Sequence, residues 1–295
     1  MHPDPSDLSA PAVTRLLELA LEEDLGVEGD VTSRVIPEDA QCVGDLVFRE
    51  AGVLAGLPLA RRVLERVDPR AQLEPCAQDG DRIGPGQVVA QLRGPARGVL
   101  AAERTLLNFL QRLSGVATAT RRLVDAVEGT GVMVLDTRKT TPGWRILEKY
   151  AVRAGGGHNH RVGLFDMVLV KDNHLAALGG EGAIEEVVRL AREAAPGLEL
   201  ELEVTSEAGA LRAARAGADI VLLDNFSPAD LARAVRAVRE DAAARGARAP
   251  RLEASGGIKL DTIRHFAEAG VDRISTGSMT HSARSIDIAL DFHTL

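Results

Sequence analysis

Apolar positions change period repeatedly in the first third of the chain and settle into a repeat in the rest. Val13, Leu16, Leu17 and Ala20 recur at helical spacing over residues 12–23, with Gly26 as a stop. Residues 43–48 read as a strand and residues 59–67 as another helix, so this part is α+β in character. Residues 79–93 combine turn glycines at 80, 84 and 86 with alternating apolar positions, which predicts a small hairpin. From 97 to 128 the spacing is helical again, with Leu100, Leu106, Leu107, Leu110 and Leu113 on one face. Ser114-Gly115 predicts a break in that helix, and the domain junction is placed there.

Beyond the junction an apolar run, a polar or charged residue and a helical stretch alternate. The runs are 132–135, 167–170, 198–204, 220–223, 251–254 and 273–275. Their C-terminal edges carry Asp136-Thr137-Arg138-Lys139, Lys171-Asp172, Glu203, Asp224-Asn225, Ser255-Gly256-Gly257 and Thr276-Gly277-Ser278. Alternating β and α with short links predicts a parallel sheet, open or closed into a barrel. Either form binds ligands at the C-terminal ends of its strands. Between the first two runs, Thr141-Pro142 predicts a helix start, Trp144, Leu147, Ala151 and Ala154 an apolar stripe, and Gly155 the stop. On that helix Arg145, Lys149 and Arg153 fall in one row, read as a solvated cationic face.

Charge sharpens this picture. The chain has 295 residues, a formal net charge of -8 and 35 basic residues, of which only four are lysine. Three of those, Lys139, Lys149 and Lys171, lie within the stretch 136–174, together with Arg138, Arg145, Arg153, Arg161, His158, His160 and His174. A cationic segment inside an acidic chain predicts a pocket for a small polyanion. The acidic balance, the lack of a basic tail and an aromatic content of 3% argue against nucleic-acid binding. Cys42 and Cys76 are too few for a disulfide framework. The N-terminal residues lack an apolar signal core, and no run reaches membrane-spanning length, so the expected location is the cytoplasm, away from membranes.

Several readings compete at the strand ends. His158 and His160 have the His-x-His spacing of barrel metal sites, but three glycines precede them, and an anion-binding loop with His160 and Arg161 as donors is preferred. Lys171 follows an apolar run where a Schiff-base lysine of a class I aldolase would sit. Arg138, Lys139 and Arg161 supply more positive charge than one carbonyl needs and suit carboxylates and phosphates. Alternation would aim Glu199, Glu201 and Glu203 at one face, which calls for cations or a metal, and magnesium is the expected partner of Glu203 and Asp224. Ser255-Gly256-Gly257 and Thr276-Gly277-Ser278 follow the last two runs and suit a phosphate. A carrier reading of the 79–93 hairpin has no attachment lysine at its turn.

Taken together, these residues resemble the quinolinate phosphoribosyltransferase family, whose members decarboxylate as they transfer. The resemblance runs through Glu23-Asp24-Leu25-Gly26, Gly29-Asp30-Val31-Thr32-Ser33, Glu103-Arg104-Thr105, Leu113-Ser114-Gly115, residues 136–143, 148–153, 155–161 and 169–174, Leu223-Asp224-Asn225-Phe226, residues 254–257 and 277–282. It implies an N-terminal α/β sandwich over 1–115 and an irregular, incomplete (β/α) barrel of about seven strands over 116–281, with 282–295 packing on the first domain. It also implies transfer of phosphoribose from 5-phosphoribosyl-1-pyrophosphate to quinolinate in NAD biosynthesis, with magnesium as cofactor. Arg104, Arg138, His160, Arg161 and Lys171 would bind quinolinate, with Arg104 reaching in from the partner subunit of a homodimer or higher oligomer, and Thr137 would be a further substrate-binding residue. Lys139 would touch both substrates, Glu203 and Asp224 would serve ribose and magnesium, and Ser255, Gly256, Gly257, Thr276, Gly277 and Ser278 would hold the 5-phosphate. Lys139, Lys171, Glu203 and Asp224 are the expected catalytic groups. A transferase for another aromatic acid is the alternative on the same fold, and an aldolase using Lys171 the alternative in chemistry.

Overall fold

The computed structural model describes residues 8–294. Residues 1–7, the N-terminal stretch that lacks an apolar signal core in sequence, lie outside the described residues. The chain divides into two compact units, one formed by Met1–Arg121, Lys139–Gly157 and Ser278–Leu295, the other by Arg122–Arg138 and His158–Gly277.

The first unit begins with helix α1 (Pro11–Leu25), which starts on a first-turn proline, buries Val13, Leu17 and Leu21, and ends at Gly26 with φ +52°. Strands β1 (Gln41–Phe48) and β2 (Gly52–Val53), helix α2 (Leu57–Val67), strands β3 (Gln72–Pro75), β4 (Arg82–Ile83) and β5 (Val88–Pro95), and the 31-residue helix α3 (Ala96–Ala126) follow. Phe48, Leu59, Leu64, Leu92, Phe109 and Leu110 are fully or almost fully buried among them. Each such side chain contributes about 1.5–3 kcal/mol by burial, so this unit has a substantial apolar core of its own.

Two local expectations fail here. The 79–93 segment turns at Gly84-Pro85-Gly86 but is not a hairpin, because β4 pairs with β2 while β5 pairs with β1 and β3. Alternation specified the strands and left their partners open. Helix α3 continues through Ser114-Gly115 without a break. Ser114 receives a hydrogen bond from the Ala55 amide at 3.1 Å, and a Cβ on Gly115 would stand 2.0 Å from the Arg284 carbonyl oxygen, so the small residues permit close packing rather than a turn.

The second unit is a parallel sheet of β6 (Met133–Leu135), β7 (Val168–Val170), β8 (Leu200–Val204), β9 (Ile220–Asp224), β10 (Arg251–Ser255) and β11 (Arg273–Ser275), in the order β6-β11-β10-β9-β8-β7. An isolated parallel bridge from Leu135 to His158 adds a seventh rung beyond β6. With helices following its strands, the unit is the incomplete, irregular (β/α) barrel expected. All six expected runs became its strands; β9 is an apolar run that ends in Asp224 and suits a strand buried on both faces, whereas β8 interleaves Glu201 and Glu203 with Leu and Val and is buried throughout.

In the remainder of the first unit, helix α4 (Arg145–Ala154) begins after Trp144, whose ring stacks on Phe109 at 5.0 Å. Thr141 does not cap the helix. Its hydroxyl donates to Glu148 at 2.9 Å instead. Lys149 is fully buried, not part of a solvated face, while Arg153 is exposed. Strand β12 (Ile288–Thr294) closes the first unit by pairing antiparallel with β1. Among the described residues no helix is long and apolar enough to cross a membrane.

Candidate active site

The C-terminal ends of the barrel strands collect the charged residues. On β8, Glu201 and Glu203 are two positions apart and so share a face at different depths. Glu203 lies at the rim, 3.2 Å from Nζ of Lys171, the residue that follows β7; the lysine side chain is 47% exposed and the carboxylate 9%. Glu199 precedes the strand and pairs in solvent with Arg251 at 2.5 Å, so it does not join the other two. Asp224 ends β9, and its Oδ2 accepts a 2.6 Å hydrogen bond from Nδ2 of Asn225, a residue at φ +58°.

Small residues shape the next two strand ends. Gly256 has φ +95°, and a Cβ there would stand 2.3 Å from Oδ1 of Asn225, so the turn after β10 requires glycine. Gly257 also has positive φ. The Ser275 hydroxyl donates to the Ser255 hydroxyl at 3.2 Å, the Thr276 amide donates to the Leu135 carbonyl at 3.1 Å, and the Thr276 hydroxyl donates to the Ile258 carbonyl at 3.1 Å. These bonds tie the ends of β6, β10 and β11 together before any ligand arrives.

Below the rim lies a buried polar cluster. Nε2 of His160 is 2.9 Å from Oε2 of Glu201 and 3.5 Å from Oε1 of Glu253, and Nε of Arg273 is 3.1 Å from Oε2 of Glu253. Both carboxylates are fully buried, and His160 and Arg273 are 8% exposed. The contacts are close but oblique, since the carboxylate oxygens and the Arg273 nitrogens Nε and Nη1 have no hydrogen-bond partner in line. Charge balance therefore governs the cluster. Burial and the neighbouring Glu201 push the Glu253 carboxyl up to about 7, against His160 and Arg273. Burial disfavours an imidazolium at His160, but Glu201 and then Glu253 outweigh it and lift the ring above its ordinary value, with Arg273 opposing. The Arg161 amide acts against a second proton, because it donates to Nδ1 of His160 at 2.8 Å and would otherwise face an N–H head-on. Nδ1 of His160 is thus turned to the Arg161 amide as an acceptor and Nε2 to Glu201.

The 155–161 loop is built by its own contacts. Asp136, fully buried after β6, accepts from the His160 amide at 2.8 Å and from Nδ2 of Asn159 at 2.8 Å. A Cβ on Gly155 or Gly157 would stand 2.5 Å from the Ala117 carbonyl or 2.7 Å from Thr120, so these glycines allow close approach to α3. Asp166 accepts from the amides of Val162 and Gly163 and bends the loop after Arg161. The Arg161 guanidinium donates to the Met167 carbonyl at 3.3 Å. Burial and the positive charge of Arg138 hold it below its usual value, with Glu201 and Asp166 opposing. Two guanidiniums close enough to feel each other form a site suited to an anion.

Within the barrel unit the strand-end positions thus carry Thr137, Arg138, His160, Arg161, Lys171, Glu203, Asp224, Ser255, Gly256, Gly257, Thr276 and Gly277. Three other expected residues belong to the first unit. Arg104 is exposed on α3, 3.9 Å from Glu103, Lys139 opens the 139–157 segment with its carbonyl accepting from the Thr280 hydroxyl at 2.7 Å, and Ser278 starts the short helix Ser278–His281. Sequence reasoning did not assign roles to Asp136, Glu253 and Arg273. The signal available for Glu253 was its position two residues before Ser255 on a parallel strand, which gives it the inward parity of that residue. A cavity of about 420 Å³ lined by Glu199, Asp219, Arg248 and Arg251 opens at the N-terminal ends of β8 to β10, the opposite end from this chemistry.

Comparison with known proteins matches residues 30–114 to the N-terminal domain of quinolinate phosphoribosyl transferase and residues 116–291 to its C-terminal domain. A probable nicotinate-nucleotide pyrophosphorylase (carboxylating) of Bacillus subtilis is 42% identical over 278 residues, covering 94% of this chain and 92% of the relative. The nicotinate-nucleotide pyrophosphorylase (carboxylating) of Mycobacterium leprae is 42% identical over 294 residues, covering 97% and 99%. The solved nicotinate-nucleotide pyrophosphorylase of Francisella tularensis superposes with a TM-score of 0.90 at 38% identity, covering 99% of this chain and all of that one. The chain therefore belongs to the quinolinate phosphoribosyltransferase family.

Proposed function

We propose that this chain transfers phosphoribose from 5-phosphoribosyl-1-pyrophosphate to the ring nitrogen of quinolinate and releases the 2-carboxylate as CO₂. The products are nicotinate mononucleotide and pyrophosphate, an entry into pyridine nucleotide biosynthesis. The observation that carries this reading is the pairing of Lys171 with Glu203 at 3.2 Å on the same rim as the adjoining charges of Arg138 and Arg161. Two guanidiniums suit a dicarboxylate, while rim carboxylates suit the cationic sugar that forms as pyrophosphate departs.

Arg138, Arg161 and Lys171 bind quinolinate, assisted by Thr137, and Arg104 joins them from the partner of a homodimer or higher oligomer. Its exposure on α3 suits a contact made by another copy. Lys139 meets both substrates, and the strand-end residues from Ser255 to Gly257 and Thr276 to Ser278 hold the 5-phosphate. Glu203 and Asp224 stabilise positive charge at the ribose as the glycosidic carbon loses its leaving group, and no side-chain nucleophile takes part. Their hard oxygens on neighbouring strands also fit magnesium, which would be completed by substrate phosphates and water and would neutralise the departing pyrophosphate. Decarboxylation then leaves an electron pair that the cationic ring nitrogen draws in, so the protein's part is to hold the ring in place. Cytoplasmic location agrees with two cysteines that are both unpaired.

An aldolase using Lys171 finds no support, because the amine is half exposed beside a carboxylate and not enclosed in the apolar pocket that activates such a lysine. The test is incubation with magnesium, 5-phosphoribosyl-1-pyrophosphate and either quinolinate or nicotinate, with mononucleotide and CO₂ followed by mass spectrometry. Product from quinolinate alone is expected. Product from nicotinate alone, or from neither, overturns the assignment.

A further inference from the structure

The cluster of His160, Glu201 and Glu253 places one ligand atom from each residue within 4.8 Å of the others, the spacing of a metal site. Two features count against a metal. A histidine that ligates through Nε2 normally carries its proton on Nδ1 and donates it to a neighbour, whereas here the Arg161 amide donates into Nδ1. The guanidinium of Arg273, 3.1 Å from Glu253, already supplies a cation to the cluster. The arrangement instead fixes which nitrogen of His160 carries the proton.

We propose that Glu201 and His160 are positioning residues for Arg161: the Glu201 carboxylate holds the Nε2–H tautomer of His160, and the freed Nδ1 captures the Arg161 amide. This deepens the proposed function, on which it rests, because Arg161 is one of the cations offered to the acid substrate. It adds, to the substrate contact expected of His160, an action through the backbone of the next residue. The distances agree at each step, although the Nε2 contact to Glu201 is oblique. The ring is 8% exposed and its Nε2 faces Glu201 at 2.9 Å. The His160 amide is held by Asp136 at 2.8 Å, so the residue is pinned on both its backbone and its ring. Arg161 is thereby fixed at its amide while its guanidinium reaches Met167.

Two substitutions separate the ring's nitrogens. His160→Asn keeps an acceptor near the Nδ1 position, while His160→Gln keeps a polar group near Nε2 and loses that acceptor. The first measurement is the tautomer of His160 in the ligand-free wild-type protein by two-bond ¹H–¹⁵N NMR correlation, which is independent of any reaction. An Nε2–H pattern is expected; an Nδ1–H pattern overturns the proposal even if quinolinate is the substrate. Equilibrium dialysis with quinolinate follows. One hydrogen bond that fixes a binding group is worth about tenfold in affinity. His160→Gln should therefore weaken quinolinate binding about tenfold more than His160→Asn, with the KM for 5-phosphoribosyl-1-pyrophosphate unmoved between the two. Glu201→Gln, which keeps the shape of the side chain but lets its amide turn either way, should broaden the single tautomer pattern into a mixture. Equal losses in the two His160 variants, or an unchanged tautomer in Glu201→Gln, refutes the positioning role. If wild-type protein shows the Nε2–H tautomer but makes no product from quinolinate, the reaction assignment fails and the backbone role of His160 stands.

Discussion

Glu253→Gln isolates the cost of the charge buried beneath the active-site rim. In the folded chain this carboxyl holds its proton up to about 7, against an ordinary value of 4.5, because it is fully buried and faces Glu201. Below 4.5 it is protonated whether the chain is folded or unfolded. Between 4.5 and 7 the folded state binds a proton that the unfolded state has released, so stability falls as pH rises, by about 1.4 kcal/mol per pH unit where the difference is one whole proton. Above 7 both states are ionised and the contribution is lost. Summed over that window the loss is on the order of 3 kcal/mol. Glutamine keeps an oxygen for Arg273 and cannot ionise. The stability of wild type minus that of Glu253→Gln, measured by urea unfolding from pH 5 to pH 8, should therefore fall with pH. Titrations common to both proteins cancel in the difference, and its midpoint belongs to the cluster as a whole, since Glu201 and His160 respond to the same charge. A difference that stays flat, or that rises with pH, refutes the reasoning.

Other perturbations test separate parts of the structure. Arg138→Ala and Lys171→Ala should each lower kcat/KM by about 30-fold or more, the equivalent of about 2 kcal/mol, with unfolding midpoints retained; near-normal turnover would remove them from the site. Gly115→Ala places a Cβ against the Arg284 carbonyl and should destabilise by about 1–3 kcal/mol, read as a lower thermal midpoint. Tyr150→Phe removes the hydroxyl that donates to Asp79 at 2.5 Å, while Asp79 goes on receiving the Gly56 amide, so urea unfolding should register a loss of about 1 kcal/mol. Retained stability in either variant would contradict the packing or hydrogen bond on which it rests.

The barrel was legible because its strands are short runs rich in Val, Leu and Ile with a polar or small residue at the C-terminal edge, and a parallel sheet buries both faces of such runs even where β8 and β10 carry a glutamate. The rim residues were legible for the same reason, since a strand's last residue marks where a ligand would sit. Packing partners were not legible. The row Arg145, Lys149 and Arg153 says that three cations share a side of α4, but not which side, and the helix buries Lys149 while exposing Arg153. Ser114-Gly115 carries the composition of a break, yet the close approach of Arg284 makes those small residues a requirement of the packed helix. The turn at Gly84 to Gly86 was read correctly, and only the destinations of its two flanking strands differed. His160, Glu253 and Arg273 stand far apart in the chain, and the register of parallel strands, which no local pattern encodes, brings Glu253 opposite Arg273.

The alternating glutamates around β8 show how depth assigns different work to one residue type. Glu199 meets Arg251 in solvent, where an ion pair contributes about 0–1 kcal/mol and serves mainly solubility. Glu203 meets Lys171 at the rim, where the lysine side chain stays about half exposed to solvent. Glu201 meets His160 with no exposure to water, and there desolvation offsets most of what the attraction provides. Well-packed apolar residues in place of Glu201, Glu253, His160 and Arg273 would serve stability as well or better. Stability alone therefore gives no reason for this charge at the centre of the barrel, whereas a fixed proton on Nε2 of His160, and through it a fixed Arg161, does.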